Sequence, residues 1–243
     1  MNMNNNNVAI AVVVPVFNSA KTLPVLEKRL DSVLTQHQLN YELILVDDFS
    51  SDDSWVTIRE LASKNPCIKG LKLAQNYGQW SATLLGISKT QANLIVTIDD
   101  DLEYQPEDII HLYHSIKNQP HEIVFGIAEN KYVAQGKNST LAHTRNWLLN
   151  RLWNKPKTDS FKIFYRDLVF RNDIFNINEH FESYLKRNLQ KQKWGYTTVN
   201  YKVRLSGKSN YSLLKKIKLF LVFSLQYLIQ KKTPLHWLIA EET

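Results

Sequence analysis

Five short apolar runs, each broken off by polar or acidic residues, constrain the fold more than any other feature of this chain. Val8–Val14, Glu42–Val46, Ile68–Leu73, Leu94–Ile98 and Glu122–Ile127 read as strands. Between them Leu23/Leu26/Leu30/Val33/Leu34, Trp55/Ile58/Leu61/Ala62 and Ile109/Ile110/Leu112/Tyr113/Ile116 recur at helical spacing. The last pattern follows Pro106, a residue suited to a first helical turn. Nearly continuous apolar strands alternating with helices imply an α/β fold, a mostly parallel central sheet with helices on both faces.

Ligands of such sheets bind beyond the carboxyl ends of the strands. The first strand leads into "PVFN" (15–18), the second into "DDFSSDDS" (47–54), the third into "AQNYGQ" (74–79) and the fourth into "DDDLE" (99–103). Each is unremarkable alone, since "DD" before a helix is an ordinary N-cap and "NYG" an ordinary turn. Together they place Asp47, Asp48, Asn76, Gly78, Asp99 and Asp101 on one rim. Three consecutive aspartates after a buried strand repel one another unless they are solvated or hold a cation. With the stretch extended, Asp99 and Asp101 project to one side, Glu103 continues that alternation, and Asp100 points away.

Oxygen-only donors at this spacing suit hard cations such as Mg2+ or Mn2+, which keep waters and bind substrate phosphates. The seven histidines are scattered, and no pair has zinc spacing. A G-x-G-x-x-G after the first strand and a P-loop are both absent, in a chain with only seven glycines, so phosphates must be held by other means.

The charge distribution divides the 243 residues. Between Ser183 and Ala240 stand twelve lysines and arginines and no acid; the total is +7, so the rest sums to 7 − 12 = −5. An acidic body with a basic C-terminal quarter suggests cation handling in front and an anionic partner behind. Within that quarter Leu219–Ile229 is too short to span a bilayer, for which about 20 apolar residues are needed. Flanked by Lys215, Lys216, Lys218, Lys231 and Lys232, it reads either as a helix lying in the headgroup region or as a packing helix with snorkelling lysines. Integral insertion is not expected. The single cysteine, Cys67, rules out an intrachain disulfide and is consistent with a reducing compartment. The first apolar run lacks a basic leader and stops at Pro15, so it does not read as a secretory signal. The Asn-rich residues 1–7 read as a disordered tail.

The motifs "VVVPVFN" (12–18), "LILVDDFSSDDS" (43–54), "LAQNYGQWSATLLGI" (73–87), "VTIDDDLEYQPED" (96–108), "DSFKIFYRDLV" (159–169) and "RLSGKSNYSLLKKIKL" (204–219) stand in an order that resembles family 2 glycosyltransferases of the GT-A fold. The resemblance is greatest to the dolichyl/undecaprenyl-phosphate sugar transferase branch. It implies a catalytic domain over 8–212, with a nucleotide-binding half to about 127 and an acceptor half from about 128, followed by a basic, amphipathic helical segment at 213–243. It further implies an inverting, metal-dependent hexosyltransferase acting on a nucleotide-diphosphate-sugar donor. The implied acceptor is a lipid-linked saccharide or a polyprenyl phosphate at the cytoplasmic membrane face, in cell-surface polysaccharide or glycolipid synthesis.

Carried onto this chain, Pro15, Phe17, Asn18, Asp47, Asp48, Asn76, Gly78, Asp99, Asp100, Ser209 and Tyr211 would form the donor-binding set. Asp99, Asp101 and Glu103 would hold Mg2+ or Mn2+, with Asp101 as the direct ligand. Arg204, Gly207, Ser209 and Tyr211 match an "R-x-x-G-x-S-x-Y" loop near the diphosphate and acceptor, and Arg204 joins Asp99 and Asp101 in the catalytic set. Asp159 and Glu182 are the candidate general bases, although a lipid phosphate needs none. Phe49 stands where glycine is usual, so a different turn is expected there, and Lys162 replaces the usual arginine. A non-catalytic nucleotide- or polyanion-binding module keeping the fold is the alternative. A nucleic-acid partner is not expected, because the acidic rim would repel phosphates without a metal.

Overall fold

The computed structural model describes residues 8–128, 159–170, 190, 193–202 and 239–243. Among these the order is β1 (Ile10–Val16), α1 (Leu23–Gln36), β2 (Tyr41–Asp47), α2 (Ser54–Lys64), β3 (Ile68–Leu73), α3 (Gln79–Ser88), β4 (Leu94–Thr97), a 3₁₀ turn (Pro106–Asp108), α4 (Ile109–Asn118), β5 (Ile123–Ile127), β6 (Lys162–Tyr165), the single-turn α5 (Asp167–Phe170), β7 (Trp194–Thr198) and β8 (Ile239–Glu242). They form one sheet in the order β7-β5-β6-β4-β1-β2-β3-β8. Pairs β1–β2, β1–β4, β2–β3 and β5–β7 are parallel, whereas β6 runs antiparallel to β4 and β5, and β8 antiparallel to β3.

β1 shows why both faces must be covered. Ile10, Val12, Val14 and Val16 belong to one apolar cluster with residues of α1, α2 and α4, while Ala11 and Val13 belong to a second with α3. All seven β1 residues are buried, which is why the strand reads as a run rather than an alternation.

The expected end of this strand, at Val14, needs correction: it continues through Pro15 to Val16. Ile98 N donates to Val13 O on the β4 side and Asp48 N to Val16 O on the β2 side. Successive residues of a parallel strand address opposite neighbours, so Pro15 turns its N–H-less nitrogen towards β4, whose pairing stops at Val13↔Thr97. No ladder bond is lost there.

Helix α3 is absent from the sequence expectation. Ser81 through Ile87 are all buried, so the segment has no polar face and lacks the periodicity that reveals an amphipathic helix. It lies so close to the sheet that a Cβ on Gly86 would stand 2.5 Å from Val13 Cγ1 and 3.1 Å from Val46 Cγ2. Overpacking costs typically about 1–3 kcal/mol, more than the about 1 kcal/mol that alanine gains over glycine in a helix. Gly86→Ala is therefore expected to lower the urea midpoint of unfolding, against helix propensity.

Pro106 opens the 3₁₀ turn that leads into α4 rather than α4 itself. The 213–243 segment also needs correction at its end, because Ile239–Glu242 is an edge strand of the main sheet. Trp55 Nε1 donates to Glu241 Oε2 at 2.8 Å, and Thr243 N donates to Gly70 O at 2.9 Å, fastening that strand to β3 and α2. The rest of that segment, residues 1–7 and most of the expected acceptor half lie outside the described residues.

Candidate functional site

The carboxyl ends of β1, β2, β3 and β4 converge as the topology requires, and hydrogen bonds lock their loops together. Phe17 N, just past β1, donates to Asp100 Oδ2 at 2.9 Å, so β1 is tied directly to the acidic turn after β4. Asn18 takes φ 55°, in the left-handed region. Its N donates to Ser50 Oγ at 2.9 Å and its Oδ1 accepts from Ser51 N at 2.8 Å. Ser19 N donates to Ser54 Oγ at 2.8 Å, completing a seam between the loops after β1 and β2.

Phe49 lies in that second loop with φ 64° and is 51% exposed. Phe49 holds the left-handed backbone for which glycine is the default residue.

The two aspartates that end β2 have separate tasks. Asp48 Oδ1 accepts from Tyr77 N at 2.8 Å and Oδ2 from Gly78 N at 2.9 Å, while Asn76 Nδ2 donates to the Asp48 carbonyl at 3.0 Å. Asp48 thus holds the loop after β3, where Gly78 takes φ 89° to enter α3. Burial pushes the Asp48 carboxyl up to about 7, against the two backbone N–H groups that favour its charge. Asp47 is fully buried; Ser50 N donates to its Oδ1 at 3.2 Å, and its Oδ2 has no hydrogen-bond partner among the described residues. Burial raises its pKa as well.

After β4 the extended geometry does not continue. The chain leaves the strand at Thr97 and turns through Asp100 and Asp101, with Leu102 at φ 61°. The expected alternation of Asp99, Asp101 and Glu103 along a strand is therefore wrong; these residues are grouped by a turn. Glu103 N donates to Asp101 Oδ1 at 3.0 Å inside it, and Lys202 N donates to Glu103 O at 2.8 Å. Gln105 Nε2 donates to the carbonyls of Leu102 and Glu103, at 3.1 and 3.3 Å, and Gln105 Oε1 accepts from Arg29 Nη2 at 2.8 Å.

Asp99 accepts from Gln79 Nε2 and from Ser160 Oγ, both at 2.6 Å. Burial lifts its carboxyl to about 7; the charges of Asp101 and Asp100 push the same way, against the Ser160 hydrogen bond and Lys162. Asp159 adjoins this cluster. Ser160 N donates to its Oδ1 at 2.9 Å, the Tyr104 phenol hydrogen-bonds its carboxylate, and Lys162 Nζ donates to its carbonyl at 3.1 Å. Burial first, then the charge of Asp159, raises the Tyr104 pKa.

Among the described residues no group of three or more His, Cys, Asp or Glu is arranged as a ready metal cage. Hard cations such as Mg2+ need fewer, because one or two carboxylates with substrate phosphates and water complete their shell. Three carboxylates in one turn, two of which add to the cost of ionising Asp99, fit such a cation. Of the other predicted residues, Pro15, Phe17, Asn18, Asp47, Asp48, Asn76, Gly78, Asp99, Asp100, Asp101, Glu103 and Asp159 share this face or its rim. Glu182, Arg204, Gly207, Ser209 and Tyr211 lie outside the described residues. Gln79 and Ser160 were not foreseen, because their contacts with Asp99 span 20 and 61 residues. Their one local signal is adjacency to Gly78 and Asp159.

The α/β sheet with this acidic rim is of the GT-A type, the fold of the solved glycosyltransferases that it matches. One is a mannosyltransferase of Pyrobaculum calidifontis in complex with GDP-Man and Mn2+; the TM-score is 0.60 at 15% identity, over 94% of this chain and 68% of that one. Residues 11–191 match the model for glycosyl transferase family 2, and the chain belongs to that family. Similar relatives are the undecaprenyl-phosphate 4-deoxy-4-formamido-L-arabinose transferases of Aeromonas hydrophila subsp. hydrophila, 33% identical over 151 residues, and of Serratia proteamaculans, 29% identical over 216. The matches cover 61% and 86% of this chain and only 44% and 65% of those relatives.

Proposed function

We propose that this chain transfers a sugar from a nucleotide-diphosphate-sugar donor to a polyprenyl phosphate, or to a saccharide carried on such a lipid. The observation that carries this reading is the convergence of Phe17–Asn18, Asp47–Asp48, Asn76–Gly78 and Asp99–Asp101 on one rim, in a family 2 chain whose similar relatives are named for undecaprenyl-phosphate sugar transfer. Asp101, with Asp99 or Glu103, would hold Mg2+ or Mn2+, which when bound neutralises the leaving diphosphate. The chain's own part is to bind and orient the donor. Asp48 keeps the Tyr77–Gly78 loop in place, and buried Asp47 offers an acceptor oxygen beside it.

The direct test is a panel of nucleotide-sugars incubated with a polyprenyl phosphate and Mn2+ or Mg2+. Release of nucleoside diphosphate that requires both lipid and metal supports the reading. Donor binding without turnover across the panel would leave a non-catalytic binding module.

A phosphate acceptor is already an anion at neutral pH, and displacement needs no base to activate it. If the acceptor is the lipid phosphate, neither Asp159→Asn nor Glu182→Gln should cost the ~10²–10⁴-fold in kcat expected for loss of a general base. A loss of about 10²–10⁴-fold at one of them, with donor affinity unchanged, is the signature of general-base loss and would point to a sugar hydroxyl acceptor.

The basic quarter supports an anionic membrane surface as the second partner. Near such a surface each lysine or arginine contributes about 1 kcal/mol, screened over roughly 8 Å at physiological salt. Flotation should show binding to phosphatidylglycerol vesicles that falls steeply with salt and is weakened by replacing Lys215, Lys216 and Lys218 with glutamine. Among the described residues no helix is long and apolar enough to cross a membrane.

A further inference from the structure

We propose that Ser160 is a positioning residue of the donor site: with Gln79 it fixes the carboxylate of Asp99 from both sides. The proposal rests on the donor-binding reading given above. Ser160 lies just before β6, the antiparallel strand between β4 and β5, and this insertion brings it beside the end of β4. Its own backbone is held at both polar groups. Thr97 Oγ1 donates to Ser160 O at 2.5 Å, and Ser160 N donates to Asp159 Oδ1 at 2.9 Å. The hydroxyl therefore has little freedom in where it stands.

That hydroxyl carries one proton and has two carboxylates in reach, Asp99 Oδ2 at 2.6 Å and Asp159 Oδ1 at 3.4 Å. The shorter contact is in the range of a charge-assisted O–H···O⁻ bond, and the longer is not, so the proton goes to Asp99. On the opposite oxygen, Gln79 Nε2 donates at 2.6 Å. Tethered at both oxygens, the Asp99 carboxylate cannot rotate about its Cβ–Cγ bond, and each oxygen keeps a lone pair for a further partner.

The bridge also has reach. Gln79 is the first residue of α3 and follows Gly78, whose N–H is on Asp48. A continuous path thus joins the loop after β3, the acidic turn after β4 and the start of β6. Groups that orient a carboxylate around a cation typically set affinity or activity by about 10–100-fold.

The test measures UDP and GDP affinity by calorimetry, with and without Mn2+, for the wild type, Ser160→Ala, Ser160→Thr and Gln79→Leu. Ser160→Ala and Gln79→Leu should each lower the Mn2+-dependent affinity by about 10–100-fold, as expected for an outer partner of a cation site. Ser160→Thr, which keeps the hydroxyl, should restore it. Affinity without Mn2+ should not change among the variants, and thermal melts establish the folded fraction used in each titration. Wild-type Mn2+-dependent affinity in folded Ser160→Ala overturns the proposal, as does a loss equally large without Mn2+, which marks a merely structural role. Absence of Mn2+-dependent binding in the wild type is a different result and overturns the donor-site reading together with it.

Discussion

Asp101→Ala is expected to reduce sugar transfer by at least about 10³-fold while the protein stays folded. A divalent cation at a leaving diphosphate contributes several kcal/mol to the reaction, and each about 1.4 kcal/mol is a factor of ten in rate. Asp101 has a second job, since its Oδ1 accepts the Glu103 N–H within the turn. Asp101→Asn keeps that acceptor and loses the negative charge. The pair separates the roles: both variants should be inactive, and only the alanine variant should show a lowered melting temperature. Excess chelator should silence the wild type to the same degree. Full turnover by Asp101→Asn, or by the wild type in chelator, would sink the cation-dependent mechanism.

The second large effect concerns pH and Asp48. Its carboxyl is buried and held up to about 7 in the folded protein, well above its ordinary value of 3.8. Below about pH 4 the group is protonated in both folded and unfolded chains and makes no pH-dependent contribution. Between pH 4 and 7 the unfolded chain ionises it and the folded chain resists, so folding loses stability as pH rises. Above 7 both states are ionised and the loss is complete. At about 1.4 kcal/mol per tenfold, the span from 3.8 to about 7 sets an upper bound of roughly 4 kcal/mol. Asp48→Asn cannot ionise. Its unfolding free energy relative to the wild type should therefore climb between pH 4 and 7 and then level off, as read by urea denaturation across that range. At pH 4 the variant should be the less stable of the two, because an amide oxygen cannot accept from both Tyr77 N and Gly78 N at their present positions. A flat difference from pH 4 to 8 would mean that the two N–H groups hold Asp48 ionised throughout.

Much of the donor half was legible in the sequence because the signals are local. A strand buried on both faces must be apolar, so β1, β4, β5 and the middle of β2 announce themselves as runs, while β3 shows through the apolar residues that alternate with its half-buried lysines. The residues beyond their carboxyl ends are then neighbours by topology alone. Asp47, Asp48, Asn76, Gly78 and Asp99–Asp101 could be grouped without knowing one side-chain contact. Helix α3 escaped for the converse reason: buried from Ser81 to Ile87, it has no polar face to set a period. β6 and β8 escaped because they enter the sheet from distant sequence as antiparallel neighbours of β4 and β3, and no alternation within four residues announces a partner.

The amino-acid order by itself determined which residues reach the rim, since strand periodicity and chain connectivity leave them nowhere else to go. Only the tertiary structure decided what each of them does there. Asp48 proved to hold a loop rather than stand open, because the Tyr77 and Gly78 N–H groups arrive from the loop after β3, 29 and 30 residues away. Asp99, Asp101 and Glu103 lost their expected alternation once Leu102 took a positive φ and the strand became a turn. Ser160 and Gln79 came to Asp99 through packing between elements far apart in the chain. Hydrogen bonds are made over about 3 Å of space and are indifferent to separation along the chain, so a pattern that records separation alone cannot contain them.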